Sequence, residues 1–187
     1  MESKIVYFEK PGRENTEAAL CLVRQRADEL GIKTVLVAST KGDTAALAVD
    51  VLQGLRVICV SHSTGLREPD TQSFTAENRR IVESKGGIVL TATLAFAGVS
   101  RALRNKFDTA TIGDIIAQVL RVFGDGMKVV CEIALMAADA GLVRTDEEVI
   151  AIGGTGRGAD TAVVLNPVNS HNFFDLKIKE VICKPRF

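Results

Sequence analysis

The chain has 187 residues, of which 47% are hydrophobic and 25% charged, the balance of a soluble globular protein long enough to bury a sizeable core. Its 23 basic and 23 acidic residues cancel, which argues against nucleic acid or an anionic membrane as a partner. There is no secretory signal pattern and no apolar run long enough to span a membrane, so we expect a cytoplasmic protein.

The first half of the chain alternates short apolar runs with helix-spaced apolar stripes, a pattern typical of strands and helices in turn. No linker or repeat interrupts the chain, so we expect a single domain over residues 1–187. A side-chain oxygen of Asn15-Thr16-Glu17 can cap the first helix, and the polar segment 61–73 is long enough to form a lid. The predicted strands are residues 5–8, 34–38, 56–60 and 88–90, and the predicted helices lie between residues 15 and 31, 44 and 54, and 75 and 86.

The second half contains two stronger helix signals. Thr111 and Asp114 have capping-box spacing ahead of a helix predicted over residues 112–123. The next helix, predicted over residues 127–140, is apolar nearly all round, which is typical of a central helix or of a subunit interface, so a homo-oligomer is one interpretation. The other predicted elements are a short helix over 99–103 within the irregular segment 91–108, strands over 149–152 and 161–165, and a final strand at a sheet edge that includes Phe174, Leu176, Ile178 and Val181.

The four cysteines each stand alone in an apolar context, without a Cys-x-x-Cys pair. Buried free thiols in a reducing compartment explain this pattern best. Only two histidines accompany them, so we do not expect a zinc or other metal site. The residues concerned are Cys21, Cys59, Cys131 and Cys183, with His62 and His171.

The order of elements indicates where a ligand would bind. Alternating strands and helices predict a mostly parallel sheet, and ligands of such sheets bind beyond the carboxyl ends of the strands. Much of the hydroxyl, glycine and amide chemistry of the chain follows predicted strand ends. His62 can contact a ligand or act as an acid or base there, although a solvated loop histidine is the alternative. The candidate residues outside the two main loops are Asn15, Thr16, His62, Thr91 and Thr93.

The best phosphate-binding candidate is the segment Ser39-Thr40-Lys41-Gly42-Asp43-Thr44, which joins a buried strand to a helix N-terminus. Free N–H groups and the helix dipole favour an anion at such a position, and three hydroxyl groups add donors. The spacing is not that of a P-loop, so hydrolysis of a nucleoside triphosphate is not supported. The alternative is plain capping of the helix by Asp43 or Thr44, and the charge of Asp43 also counts against a phosphate.

A second candidate loop lies between the two strands predicted near the C-terminus. Four of its residues are glycines, which allow several backbone N–H groups to approach a ligand. Arg157 adds a planar cation suited to a phosphate or a flat ring, and Asp160 can accept a sugar or ribityl hydroxyl. The alternatives are a glycine-rich connection and an Asp160 that ties the loop to itself. The candidate residues here are Gly153, Gly154, Thr155, Gly156, Arg157, Gly158 and Asp160.

These segments resemble a known family. Residues 38–45 are similar to the phosphate-binding loop of the pyruvate kinase C-terminal domain, and residues 153–161 occupy the place of its second effector loop. Residues 8–16, 132–141 and 148–162 resemble the stand-alone, mostly archaeal and bacterial, pyruvate kinase alpha/beta domain-like proteins. The resemblance covers essentially the whole chain.

The resemblance implies an α/β fold, a three-layer sandwich whose mostly parallel twisted sheet has helices on both faces and an antiparallel strand near the C-terminus. It does not imply pyruvate kinase activity, because that chemistry belongs to a separate barrel domain for which 187 residues leave no room. Stand-alone members of the family look like flavin mononucleotide (FMN) binders. Asp43 departs from the Arg or Ser of the kinase effector loop, which suits a ligand with a single phosphate.

Three functions remain open at this point. The leading hypothesis is a small phosphorylated ligand, FMN, with its phosphate at residues 39–44 and its ring or ribityl chain against residues 153–160, with or without flavin-dependent oxidoreductase activity. The second is a sensor or regulatory module for a phosphorylated metabolite. The third is a structural subunit joined through the helix at Met127.

Overall fold

A computed structural model describes residues 3–187, and its centre is one seven-stranded β-sheet. Most of the strands lie within a few residues of the predicted bounds. They are β1 (Val6–Phe8), β2 (Thr34–Ala38), β3 (Arg56–His62), β4 (Ile88–Ala92), β5 (Val149–Gly153), β6 (Thr161–Asn166) and β7 (Lys177–Pro185).

Six α-helices in the described chain accompany the sheet, and none of them is both long and apolar enough to cross a membrane. Two short 3-10 segments, Arg13–Asn15 and Ser170–Asp175, complete the structure. The helices are α1 (Thr16–Leu30), α2 (Asp43–Val51), α3 (Ala76–Ser84), α4 (Gly98–Phe107), α5 (Ile112–Arg121) and α6 (Asp125–Asp139).

The sheet has the order β1–β7–β6–β5–β2–β3–β4, and only β6 runs against the other strands. The carboxyl ends of six strands therefore share one edge of the sheet. The β5–β6 hairpin turns at that same edge, and α2 begins there after β2. The expected sandwich, mostly parallel with an antiparallel strand near the C-terminus, is confirmed.

Two apolar cores lie on the two faces of the sheet, because side chains of a strand alternate between its faces. On β2, Val35 and Val37 pack with α1, α2 and α3, whereas Leu36 packs with α5 and α6 on the other face. Twelve of the fifteen residues of α6 are buried, which confirms the central position predicted for that helix.

Three predictions about individual elements are wrong. No side-chain oxygen caps α1, because Asn15 sits in a 3-10 turn and its amide donates instead to the Lys10 carbonyl at 2.7 Å. The final strand begins at Lys177, so Phe174 and Leu176 lie outside it. It is not a sheet edge along its whole length either, because its last residues, Cys183–Pro185, pair with β1.

The cysteines follow the prediction in three of four cases. Cys59, Cys131 and Cys183 are buried free thiols, and burial raises the pKa of each to about 12. Cys21 is exposed, contrary to the prediction. Its neighbours Leu20 and Val23 occupy the buried stripe of α1, and this leaves Cys21 on the solvent side.

Candidate functional site

A cavity of about 290 Å³ lies at the shared carboxyl edge of the sheet, between the segment that follows β2 and the glycine-rich β5–β6 loop. The two loops predicted as candidates from the sequence thus face one another. Its walls are formed by Ala38, Ser39, Thr40, Lys41, Asp43, Thr44, Arg67, Ser73, Val129, Gly154, Gly156, Arg157 and Gly158.

The start of α2 forms the first wall of this cavity. The Ser39 hydroxyl oxygen accepts the N–H groups of Gly42 and Ala45, at 3.2 and 3.4 Å. The N–H groups of Asp43 and Thr44, in the first turn of the helix, have no protein acceptor within residues 3–187. Capping is therefore performed by Ser39 rather than by Asp43 or Thr44, and free donors remain for an anion.

Helix α3 holds this segment in place. Gly42 has a φ of +101°, and a Cβ there would lie 2.4 Å from the Asn78 Cβ, so glycine is needed for both conformation and packing. The Asn78 amide donates to the Lys41 carbonyl at 3.0 Å and to the Asp43 carboxylate at 3.2 Å. One oxygen of the Asp43 carboxylate is therefore bonded to Asn78, while the side chain still lines the cavity.

The glycine loop forms the second wall, and its glycines have local structural reasons. A Cβ on Gly154 would lie 2.2 Å from the Gly158 carbonyl, and a Cβ on Gly158 would lie 2.3 Å from the Arg13 Cα. Gly156 has a φ of +70° at the turn, and Gly153 packs against Val129 of α6. Close packing therefore accounts for three of the four glycines and a left-handed turn for the fourth.

Asp160 and Thr16 attach this loop to the start of α1. The fully buried Asp160 carboxylate accepts the N–H groups of Gly12 and Thr155, at 3.0 and 3.1 Å, and the Thr161 hydroxyl at 2.8 Å. The Thr16 hydroxyl accepts the Ala159 N–H at 3.1 Å. Both side chains are occupied by the protein itself, so the contacts favour the interpretation that Asp160 ties the loop.

The cavity walls are cationic. Lys41, Arg67 and Arg157 face a single carboxylate, that of Asp43. Together with the free N–H groups of α2 and nearby hydroxyls, this arrangement suits an anion that accepts several hydrogen bonds, such as a phosphate.

A second cavity of about 500 Å³ adjoins the first and shares Asp43, Thr44 and Arg157 with it. It lies between the starts of α1 and α2, where Arg13 and Thr16 contribute to its walls. The two spaces together fall within the size range of small-molecule sites. A ligand with a phosphate and a larger remainder can therefore extend across both.

Several predicted residues lie off the cavity walls. His62 is buried at the end of β3, with its Nδ1 2.9 Å from the Ser63 carbonyl oxygen, and Asn15 is held by the turn before α1. Thr91 lies in the edge strand β4 and Thr93 follows it, and β3 separates β4 from β2. The Thr91 hydroxyl accepts from Arg79 at 3.1 Å. Gly42, Gly153 and Thr155 support the loops without lining the cavity.

Eight wall residues of the two cavities were not among the candidates from the sequence: Ala38, Arg67, Ser73, Val129, Arg13, Glu14, Glu17 and Leu47. Arg67 and Ser73 come from the segment after β3 that was predicted as a lid, Val129 comes from α6, and Arg13 precedes α1. The lid pattern identified the segment containing Arg67, but no spacing rule indicates which of its side chains turns towards β2. Val129 looks like a core residue in sequence, because α6 is apolar on most of its surface.

The fold and the cavity define a three-layer α/β domain with an anion-suited site at the carboxyl edge of its sheet. The chain belongs to the family of the pyruvate kinase alpha/beta domain, whose model matches residues 17–165.

Solved structures with a similar arrangement include two of pyruvate kinase from Cryptosporidium parvum. They are each 13% identical to this chain, with TM-scores of 0.40 and 0.39 over 81% and 85% of it. The chain covers only 22% and 23% of those kinases. An O-ureido-L-serine synthase is 15% identical over 73% of this chain and 50% of its own, with a TM-score of 0.30.

Proposed function

We propose that this chain binds a phosphorylated small molecule in the cytoplasm, with FMN as the specific ligand. The observation that carries the proposal is the single cavity shared by the start of α2 and the glycine loop. We place the phosphate against Ser39, Lys41 and the free N–H groups of Asp43 and Thr44.

The remainder of the ligand would extend towards the glycine loop. Val129 offers an apolar surface and Arg157 a planar guanidinium, and both are suited to a flat ring. The adjoining cavity gives room for a ribityl chain. Bound FMN would supply hydride and electron transfer, and the wall residues would hold and orient it.

A titration that compares FMN with riboflavin tests this proposal, because the two differ only in the phosphate. We expect riboflavin to bind at least tenfold more weakly, since charged hydrogen bonds contribute about 1.5–3 kcal/mol and 1.4 kcal/mol is a factor of ten. Flavin fluorescence gives both dissociation constants. Equal affinities, or no binding of FMN, would contradict the proposal.

Three variants locate the two ends of the ligand. Lys41→Gln should weaken FMN roughly tenfold and leave riboflavin nearly unchanged, because Lys41 faces the phosphate. Arg157→Gln should weaken both flavins. The control Lys33→Gln removes an exposed cation at the opposite edge of the sheet and should change neither.

A sensor or regulatory module for a phosphorylated metabolite is the second candidate. The observation that favours it is that the walls combine cations and hydroxyl groups with few apolar side chains, Ala38 and Val129 in the first cavity and Leu47 in the second, which suits a polar phosphorylated metabolite. A thermal-shift comparison of FMN with sugar phosphates separates the two candidates, because stabilisation grows with ligand concentration relative to its dissociation constant. Stabilisation by a sugar phosphate and not by FMN would favour the sensor.

A further inference from the structure

Helix α4 contributes no buried residue to either apolar core. None of its ten residues is buried, and its apolar side chains Val99, Leu103 and Phe107 are 80%, 44% and 66% exposed. They lie four residues apart and form one stripe. An isolated helix of this length has marginal stability in water. We therefore expect another surface to pack against the stripe.

Helix α5 lies beside α4, to which the Arg104–Asp114 ion pair joins it, and carries exposed apolar side chains of its own. Only Ala117 of its residues is buried, and its outward side chains include Ile112 and Val119, which are 76% and 58% exposed. With Ile115 of α5, and Val122 and Phe123 in the turn after it, this region presents eight large exposed apolar side chains. We define these eight as the α4–α5 face.

The area of the α4–α5 face matches that of a protein–protein interface. Summed over the eight residues, the exposed area is roughly 900 Å². A standard interface buries about 800 Å² on each partner.

The same face contains a groove and unpaired charges of both signs. A groove of about 480 Å³ lies between the end of α4 and α5, with Asp108 and Val119 among its walls. In the described chain neither Lys106 nor Asp108 forms an ion pair. Arg101 of α4 forms no ion pair in the described chain either, so unpaired charges of both signs lie beside the groove and the apolar side chains, and a second copy related by a twofold axis can pair them.

We propose that the α4–α5 face is a homodimer interface, in which α4 of one copy packs against the α4–α5 groove of a second copy and the contact is reciprocal. A twofold arrangement brings the Lys106 of each copy towards Asp108 of the other. The central helix α6 takes no part in this contact, because its own chain buries it.

Sedimentation of the full chain between about 1 and 100 μM tests the proposal. The expected species is a dimer of about 40 kDa, twice the 20.0 kDa chain. Val99→Asp and Val119→Asp should each weaken dimerisation at least 100-fold without changing the circular-dichroism spectrum, because both side chains are mainly exposed in the single chain. The control Phe174→Asp alters a side chain that is 82% exposed outside the face and should leave the dimer intact.

Reversing the charge of Lys106 tests the dimer proposal independently of the apolar side chains. Lys106→Glu should weaken the dimer through repulsion of Asp108, and the effect should shrink in 0.5 M salt because salt screens exposed charges. A wild-type chain that stays monomeric over the whole range would overturn the proposal, as would a dimer that survives both Asp substitutions. A monomer that binds phosphatidylserine vesicles through Val99 and Val119 would also overturn it and assign the face to a membrane surface.

Discussion

Asp160 supports the glycine loop of the candidate site without lining the cavity. Its carboxylate accepts two backbone N–H groups and one hydroxyl, and these bonds join the glycine loop to the turn before α1. The sequence left two roles open for this residue, contact with a ligand or support of the loop. Its complete burial and its three bonds favour support.

The first prediction concerns the stability contributed by this carboxylate. Asp160→Ala leaves the N–H groups of Gly12 and Thr155 without an acceptor, and we expect a loss of about 2–4 kcal/mol in the free energy of unfolding. Asp160→Asn should lose less, because an amide oxygen can accept both N–H groups while the amide nitrogen donates to the Thr161 hydroxyl. Urea unfolding measures both, and equal stability of Asp160→Ala and the wild type would contradict this role.

At the scale of elements, α6 is attached to the segment after β4 by a buried ion pair. Lys128 donates to Glu132 one turn away, and their side chains are only 11% and 4% exposed. The other Glu132 oxygen accepts the Phe96 N–H at 3.1 Å. This pair fixes the position of residues that the sequence alone showed only as an irregular segment.

The second prediction follows from the cost of an uncompensated buried charge. Glu132→Gln should lower the free energy of unfolding by about 3 kcal/mol, because Lys128 then remains buried without a carboxylate. The double variant Lys128→Met/Glu132→Gln should recover most of this loss, since no charge is left to desolvate.

The exposed pair Arg79–Glu83 on α3 provides the matched control, with side chains that are 35% and 50% exposed. Glu83→Gln should cost less than about 0.5 kcal/mol, because solvent screens an exposed pair. Equal effects of Glu132→Gln and Glu83→Gln in urea unfolding would contradict the account of the buried pair.

Helices with local signals could be predicted from the sequence, and helices that depend on distant contacts could not. The capping box at Thr111 is present, with Asp114 accepting the Thr111 N–H at 3.0 Å, and the helix begins where the pattern placed it. In contrast, α4 extends from Gly98 to Phe107 rather than over residues 99–103. Its apolar stripe has only three large side chains, and none of its residues is buried in this chain, so periodicity underestimates its length.

At the scale of the whole molecule, the position of the site follows from topology. The rule that ligands bind beyond the carboxyl ends of parallel strands selected both loops, and the structure brings Lys41 and Arg157 to one cavity. The rule also selected His62, Thr91 and Thr93, which lie elsewhere on the same edge. The rule predicts at which edge of the sheet a ligand binds, but not beside which strands. Strand order depends on long-range pairing that no local sequence pattern encodes.

The sequence predicted neither the position of the site along the sheet edge nor the direction in which individual side chains point. Asp160 carries a carboxylate of the kind expected of a ligand contact, yet it accepts the backbone N–H groups of Gly12 and Thr155 and lies off the cavity walls. Arg67 reaches the cavity from a long segment whose end is held by a contact distant in sequence, the bond from the Thr75 N–H to the Lys41 carbonyl at 3.1 Å. Residue type therefore identified the loops correctly but did not distinguish wall residues from supporting ones.

The central claim is that residues 40–44 and 154–158 hold one phosphate-bearing molecule between them. Two-dimensional ¹H–¹⁵N NMR of the full chain during a titration with FMN tests it most directly. We predict that backbone amide signals of both segments shift along one saturation curve, whereas inorganic phosphate shifts only residues 40–44. Signals that move in one segment alone at saturation with FMN, or in neither, would contradict the claim.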